Sequence, residues 1–391
     1  MVHPAQIEQL ASNSPAVAGR EPAPDHVSAP TAWREPATAV ECALHQLAPY
    51  IGKLKSTIAR DLVRSYSKSG DLLVDPFSGS GTVPLEALLL GRRVYASDIS
   101  TYAATLTRAK LSAPDSAVVA LSEAEDVLVR AAESPAPDLR SVPSWVRGYF
   151  HPRTLKEALA FARLCRKEGR DFLLACLLGI LHHQRPGFLS YPSSHLVPYL
   201  RDKKFPRHDF PEMYDYRPLR PRILAKVQRA LRRGVPPNRE ATFVRAPIEE
   251  LILEFQFDGM ITSPPYMNAL DYGRDNRLRL WLLDEDSASQ TETDANSSRS
   301  AFVRQMTALA QLNESHLKQN GYCVLVVGES VSRSGMLHPA QSVVELFEVH
   351  APSLLLDKLI VDTIPDVRRA RRDCRGVKRE MIIVFNKRRL P

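Results

Sequence analysis

The segment at residues 72–100 constrains the fold most, because a short apolar run leads directly into a glycine-rich turn. The run at 72–74 predicts a buried strand, and the residues DPFSGSGT follow it. The next stretch, at 83–91, predicts a helix that ends at a glycine, and 94–97 predicts a second strand. A strand, a glycine turn, a helix and a second strand are how a doubly wound parallel sheet begins.

The rest of the chain extends this pattern to seven predicted strands. They lie at residues 72–74, 94–97, 241–245, 257–262, 322–327, 356–363 and 380–386. The loop between the last two is too short for a crossover helix, so these two strands are expected to pair antiparallel. Mainly helical sequence separates the second strand from the third. The predicted fold class is therefore α/β, a Rossmann-like seven-stranded sheet with a mainly helical insertion.

Composition divides the chain into regions. Residues 1–40 are rich in Ala, Pro and Ser and predict a flexible N-terminal arm. Residues 41–114 and 241–391 are expected to form the sheet domain, and 115–240 the insertion. The polar segment at 284–300 predicts a mobile loop.

The net charge of +8 is concentrated in two segments. Residues 201–233 hold 11 Lys and Arg against 4 Asp and Glu, and residues 366–389 hold 10 against 3. Such segments suit a polyanionic partner, although a solvated basic surface explains them as well. The longest apolar run, at 172–181, is about half of the roughly 20 residues that a membrane span needs. With no signal-peptide pattern at the N-terminus, a cytoplasmic protein is expected.

The cysteines indicate neither a metal site nor a disulfide framework. None of the five forms a C-x-x-C pair. They are Cys42, Cys165, Cys176, Cys323 and Cys374.

The glycine turn is the first element that could carry chemistry. Gly79 and Gly81 would let the backbone approach a ligand, and the helix that follows offers free N–H groups to a carboxylate. Asp98, at the end of the next strand, can accept hydrogen bonds from both hydroxyls of a ribose. The alternative is a purely structural turn in which Asp98 caps a helix.

The second element is the sequence TSPPY at residues 262–266. Two prolines cannot continue a central strand, so they make a stiff turn at its carboxyl end, where such sheets bind ligands. A serine hydroxyl, backbone carbonyls and an aromatic ring in fixed positions could hold a flat base and orient its amino group. The alternative is a proline loop with a packed tyrosine.

Together the two motifs resemble those of the amino-methyltransferases of DNA, which carry an F-x-G-x-G cofactor motif and a [D/N/S]-P-P-[Y/F/W] catalytic motif. The serine in the first position of the second motif resembles the N4-cytosine members. Residues 45–54, HQLAPYIGKL, and residues 261–283 are also similar to segments of that family. The resemblance covers about residues 41–112 and 241–387.

The resemblance implies S-adenosylmethionine as methyl donor and no metal. The implied cofactor-binding residues are Tyr50, Lys53, Asp75, Pro76, Phe77, Ser78, Gly79, Gly81, Thr82, Asp98 and Ile99. The implied catalytic residues are Ser263, Pro264, Pro265 and Tyr266. Glu249 follows the third strand and is the nearest candidate for a contact to adenine.

The implied activity is methylation of cytosine N4 in a short DNA sequence, in a restriction-modification setting and near the nucleoid. The implied partners are double-stranded DNA with a flipped target base, a second copy of the chain and a cognate restriction endonuclease, with no membrane. The motif order departs from the usual N4-cytosine enzymes, because Gly81 precedes Ser263. The insertion is the expected target-recognition region.

Three alternatives stay open from the sequence. The same chemistry could act on adenine N6 in DNA, or on a base amino group in RNA. A non-catalytic DNA-binding subunit could also have kept the fold. Methylation of cytosine C5 is a poor fit, because it needs a cysteine nucleophile, typically in a Pro-Cys pair that this chain lacks.

Overall fold

One mixed sheet and the helices on its faces account for most of the regular structure. The computed structural model describes residues 26–34, 41–182, 188–191, 205–237, 240–265, 272–283, 299–332, 335–337, 339–363 and 379–389. The strands are β1 (His26–Ser28), β2 (Leu72–Asp75), β3 (Arg93–Ser97), β4 (Ala241–Val244), β5 (Phe257–Thr262), β6 (Leu317–Ser332), β7 (Gly335–Leu337), β8 (Leu354–Thr363) and β9 (Arg379–Lys387).

The α-helices are α1 (Ser56–Tyr66), α2 (Thr82–Leu89), α3 (Thr101–Leu111), α4 (Ala117–Glu133), α5 (Ser144–Arg147), α6 (Pro152–Lys167), α7 (Asp171–Ile180), α8 (Leu219–Leu231), α9 (Tyr272–Leu283), α10 (Arg299–His316) and α11 (Pro339–His350). Single 3-10 turns occur at Thr31–Arg34, Ala43–Gln46, Pro211–Tyr214 and Ile248–Glu250. No helix in the described part of the chain is long and apolar enough to cross a membrane.

The strand order is β1-β8-β9-β6-β5-β2-β3-β4, and β7 pairs with the end of β6. The strands from β2 to β5 run parallel to their neighbours, and β9 is antiparallel to both β6 and β8. The seven predicted strands and the antiparallel final pair are thus confirmed, and the fold is the expected Rossmann-like α/β class. In the described residues β1 and β7 add two strands to the sheet that the sequence did not predict. Because β3 and β5 lie on opposite sides of β2, the winding reverses there, and such a switch point is where these sheets bind ligands.

Part of the predicted N-terminal arm belongs to the sheet. β1 pairs in parallel with β8, from His26 beside Leu359 to Ser28 beside Val361. Trp33 is 3% exposed, and its indole Nε1 donates a hydrogen bond to Asp61 at 2.7 Å. Residues 26–34 are therefore packed against the rest of the domain. The sequence does not predict β1, because three residues are too few to show the alternation of a strand. The rest of the arm, residues 1–25 and 35–40, lies outside the described residues.

The helices α4 to α8 lie between β3 and β4, where the sequence predicted the insertion. Their buried side chains form one apolar cluster with side chains of α3 and α9. In that cluster Tyr102 and Leu106 of α3 join Phe161 of α6, Leu177 of α7 and Ile223 of α8. The insertion thus shares its core with the sheet domain, because the apolar faces of its helices are buried against α3.

Two further clusters cover the sheet. Phe302 and Met306 of α10 and Phe347 of α11 belong to one cluster, and Ile58 of α1 and Leu88 of α2 belong to the other. The predicted mobile loop at 284–300 lies outside the described residues, except that α10 begins at Arg299.

Candidate active site

Two turns leave adjacent parallel strands at the same edge of the sheet. Asp75 ends β2 and Thr262 ends β5, and both side chains are buried. The Thr262 hydroxyl donates a hydrogen bond of 2.6 Å to Asp75 Oδ1. This bond crosses the switch point and fixes the glycine turn and the proline turn relative to each other.

The glycine turn has the left-handed backbone that glycine favours. Gly79 has φ +50° and Gly81 has φ +72°. A Cβ on Gly79 would lie 3.4 Å from the Tyr50 ring, and one on Gly81 would lie 2.9 Å from Thr107 Oγ1. A side chain at Gly81 would therefore be both strained and crowded, and one at Gly79 would be strained and in van der Waals contact with the Tyr50 ring. The backbone of the turn therefore lies close to Tyr50 and Thr107, and α2 begins directly after it at Thr82.

One cleft collects residues from both turns. Counted with the solvent at its mouth, it encloses about 1270 Å³. The sequence-predicted residues that line it are Tyr50, Lys53, Asp75, Pro76, Phe77, Ser78, Gly79, Thr82, Asp98, Ile99, Glu249, Ser263 and Pro265. Gly81 and the buried Pro264 are not among its lining residues, and Tyr266 lies outside the described residues.

Sequence reasoning missed several lining residues. Asn276 of α9 and Gln305 of α10 reach the cleft although they are 4% and 6% exposed. The others are Gly52, Leu54, Ser80, Val83, Ser100, Ala246, Pro247, Ile248 and Leu280. Asn276 and Gln305 are amide side chains on two helices that also bury other polar residues, Arg279 and Asn313, so no motif marks them in the sequence.

Burial dominates the electrostatics at the end of β2. It raises the pKa of Asp75 to about 7, although hydrogen bonds from Thr262 and from the Phe77 amide lower it. The nearby Asp98 carboxylate also raises this pKa. Asp75 is therefore close to half ionised at neutral pH, and a cation bound in the cleft would favour its ionised form.

Asp98, directly after β3, connects that strand to the glycine turn by a hydrogen bond. Its Oδ2 accepts a hydrogen bond from the Gly79 amide at 2.8 Å, and its Oδ1 accepts one from the Ser100 amide at 2.9 Å. The N-cap of α3 is Ser100, whose hydroxyl accepts from the Ala103 amide. The alternative that Asp98 is itself the helix cap is therefore wrong.

Ser263 is the first residue of the proline turn, and its hydroxyl proton is already used in a hydrogen bond. Its Oγ donates to the Val326 carbonyl of β6 at 3.3 Å. A hydroxyl that donates to the backbone keeps its lone pairs as acceptors. Ser263 therefore offers an acceptor at the wall of the cleft, which is the group that an amino substrate needs.

The described residues contain no group of three His, Cys, Asp or Glu side chains arranged to hold a metal ion. Cys42, Cys165, Cys176 and Cys323 are buried free thiols, and Cys374 lies outside the described residues.

Residues 46–140 match the family described as UPF0020, RMKL-like, methyltransferase domain. This segment, 95 of the 391 residues, is similar to a methyltransferase domain, and such domains take S-adenosylmethionine as their methyl donor. The matched segment contains Tyr50, Lys53, the glycine turn and Asp98. A comparison with curated proteins finds no significant match.

Several solved structures are similar over most of the chain at low scores. TrmN from Thermus thermophilus is 14% identical with a TM-score of 0.34, over 86% of this chain and 50% of its own, so this chain spans half its length. A TehB-like SAM-dependent methyltransferase from Corynebacterium glutamicum is 9% identical with a TM-score of 0.33, over 86% and 89%. The rRNA methyltransferase aviRa from Streptomyces viridochromogenes is 15% identical with a TM-score of 0.33, over 89% and 90%. Scores this low establish no shared substrate.

The residues of the cleft fit S-adenosylmethionine. The glycine turn keeps side chains out of the space beside Tyr50, and two carboxylates, Asp75 and Asp98, face the same cleft. Asp75 suits the cationic methionine end, Asp98 suits the ribose hydroxyls, and Ile248 and Ile99 supply apolar surface for adenine. When bound there, the cofactor supplies an electrophilic methyl group.

Proposed function

We propose that this protein methylates the exocyclic amino group of a base in a nucleic acid, and that RNA is its first candidate substrate. The observation that carries the chemistry is Ser263, an acceptor hydroxyl on the stiff turn beside the cofactor cleft. The match of residues 46–140 to the RMKL-like methyltransferase domain favours RNA over DNA.

An exocyclic amine is a weak nucleophile because its lone pair is delocalised into the aromatic ring. The Ser263 hydroxyl, which lines the cleft, would accept one N–H of the amine. An acceptor held by a proline turn localises the lone pair on the nitrogen and directs it toward the methyl donor. The protein then accelerates the reaction mainly by positioning two bound reactants in line.

DNA cytosine N4 is the second candidate, and one observation favours it. The sequence Ser263-Pro264-Pro265-Tyr266 resembles the motif of the N4-cytosine enzymes. Double-stranded DNA, a second copy of the chain and a restriction endonuclease stay predictions from that resemblance. In either polymer, a paired target base must leave its stack before it can reach the cleft.

The nucleic acid is expected to cross the surface where α9 meets the insertion. Asn276 of α9 lines the cleft, and the next residue, Arg277, is exposed with its guanidinium 4.2 Å from the ring centroid of Trp145. Trp145 belongs to α5 and is partly exposed. An exposed cation and a partly exposed aromatic ring on this surface suit a phosphate and an unstacked base.

The test uses the full chain and a Ser263→Ala variant with labelled S-adenosylmethionine. Each is incubated with unmethylated total RNA and, separately, with unmethylated genomic DNA, and the products are digested to nucleosides and identified by mass. Ser112→Ala is the matched control, because Ser112 is exposed and does not line the cleft.

An N-methylated base in RNA, made by the wild type and by Ser112→Ala but not by Ser263→Ala, is the expected result. N4-methylcytosine in DNA would move the protein to the second candidate, and N6-methyladenine in DNA would keep the chemistry while changing polymer and base. Methylation of a ring carbon or a ribose, or no transfer to either polymer, would refute base amino-methylation.

A further inference from the structure

One wall of the cofactor cleft is a segment that the helical insertion holds in place. We call residues 41–54 the strap; within it, Tyr50, Gly52, Lys53 and Leu54 line the cleft. The strap precedes α1 and contains, apart from one 3-10 turn, no regular structure of its own. Its position therefore depends on the groups that bind its backbone carbonyls.

The sheet domain fixes the strap at its start, where the Ser56 hydroxyl of α1 donates to the Glu41 carboxylate at 2.9 Å, and at two places further along. The Tyr102 hydroxyl of α3 donates to the Pro49 carbonyl at 2.5 Å, and the rings of Tyr102 and Tyr50 stack with centroids 5.7 Å apart. His45 Nε2 donates to the buried Glu86 carboxylate of α2 at 2.7 Å. A carboxylate can only accept, so Nε2 of His45 carries the proton.

The insertion binds the stretch between these two places. The Lys226 ammonium of α8 donates to the Gln46 carbonyl at 2.8 Å. The next carbonyl, of Leu47, rests on Gly179 of α7, closer than any Cβ at that position could tolerate. Gly179 is the next-to-last residue of α7, and the contact with the strap explains why a residue without a side chain stands there. The same Cβ would also lie 3.0 Å from the Lys226 side chain.

The start of the strap is bound to the insertion as well. Arg233, just after α8, donates to the Glu41 carbonyl at 3.0 Å, and Cys42 Sγ donates to the Gly234 carbonyl at 3.8 Å. Lys53 then donates back to the His45 carbonyl at 2.8 Å, which closes the strap on itself beside the cleft. Contacts from α7, α8 and the residues after α8 thus reach the cofactor site through the strap backbone.

We propose that Lys226 and Gly179 are positioning residues for the cofactor cleft, although neither lines it. Through their contacts with the Gln46 and Leu47 carbonyls, Lys226 and Gly179 determine the positions of Tyr50 and Lys53 in the cleft. The insertion is then part of the cofactor site and not only a surface for substrate. A displacement of α7 or α8 by a bound substrate changes cofactor affinity, and cofactor binding changes substrate affinity by the same factor.

The test measures S-adenosylmethionine binding to the full chain by calorimetry, without nucleic acid, so its result does not depend on which base or polymer is methylated. Lys226→Met keeps the apolar stem and removes the donor, and about fivefold weaker binding or more is expected from the loss of one charge-assisted hydrogen bond. Gly179→Ala pushes the Leu47 carbonyl away and is expected to weaken binding further. Lys226→Arg restores a donor and should recover most of the affinity.

Arg229→Met is the matched control, because Arg229 is an exposed cation on the same helix and is expected to bind the cofactor like the wild type. A purely structural role for Lys226 would lower the thermal midpoint and leave the dissociation constant of the folded protein unchanged, and that result would overturn the proposal. If Gly179→Ala does not fold, the comparison of Lys226→Met with Lys226→Arg tests the proposal by itself. Equal cofactor affinity in all folded variants would also refute the proposal.

Discussion

The glycine turn and the proline turn sit side by side on the sheet and work in opposite ways. The glycine turn after β2 has no side chain at two positions, Gly79 and Gly81. These two left-handed glycines let the backbone lie against Tyr50 and Thr107. The proline turn after β5 stiffens the backbone and presents one hydroxyl, Ser263, with its proton already committed. The first turn makes room for a ligand, and the second fixes an acceptor. Damage to the first should therefore appear in binding and damage to the second in rate.

Ser263→Ala tests the rate side of this comparison and carries the largest expected effect. The variant loses the acceptor for the amine, so kcat should fall by roughly 100-fold, the scale seen when one preorganised hydrogen-bonding group is removed from an active site. The affinity for S-adenosylmethionine should stay unchanged. Steady-state kinetics at saturating cofactor, together with calorimetry, check both. A loss of cofactor affinity in the same variant would contradict the idea that the proline turn affects the rate and the glycine turn affects binding.

Gly79→Ala tests the binding side. Its φ of +50° costs an L-residue about 1–2 kcal/mol, and the new Cβ meets the Tyr50 ring. Cofactor affinity should fall by about tenfold, the equivalent of roughly 1.4 kcal/mol, while kcat at saturating cofactor stays close to that of the wild type.

Gly70→Ala is the control for backbone strain. Gly70 has φ +88°, and a Cβ there meets nothing within 4 Å. That variant should lose stability and keep its cofactor affinity. Equal losses of affinity in the two variants would show that strain alone, and not contact with Tyr50, explains the effect.

Asp75 predicts a pH dependence of cofactor binding. Burial raises its pKa to about 7, and the cationic cofactor binds better to the ionised carboxylate. As pH rises through 7 a larger fraction is ionised, so affinity should increase severalfold between about pH 6 and pH 8. Asp75→Asn should bind weakly at both ends of this range with a flat profile. A wild-type profile that is flat or falls with pH would contradict the assignment of Asp75 to the cationic end.

The sequence was sufficient for seven strands of the sheet and for both turns, because buried parallel strands are apolar runs and each turn contains residues that few other structures require. It was insufficient for β1 and β7, since three residues are too few to show alternation. It also missed Asn276 and Gln305, which come from helices far along the chain and reach the cleft only through packing. The strap shows the same limit. Nothing in HQLAPYIGKL indicates that Lys226 would bind one of its carbonyls or that another would lie against Gly179, because a backbone carbonyl is present at every residue.

Thr262→Val tests whether the two turns act as one unit, and it carries the smallest expected effect. The variant keeps the shape of the side chain and removes the hydrogen bond to Asp75, which should lower the free energy of unfolding by about 1–3 kcal/mol. That bond lowers the pKa of Asp75, so its loss raises this pKa further, and the rise in cofactor affinity should move to higher pH. Thr105→Val is the control, because Thr105 is also buried but its hydroxyl donates within its own helix, to the Thr101 carbonyl. It should lose stability without moving the pH profile. If Thr262→Val leaves the profile in place, the proline turn does not control ionisation in the glycine turn, and the two turns are coupled only by being neighbours in the sheet.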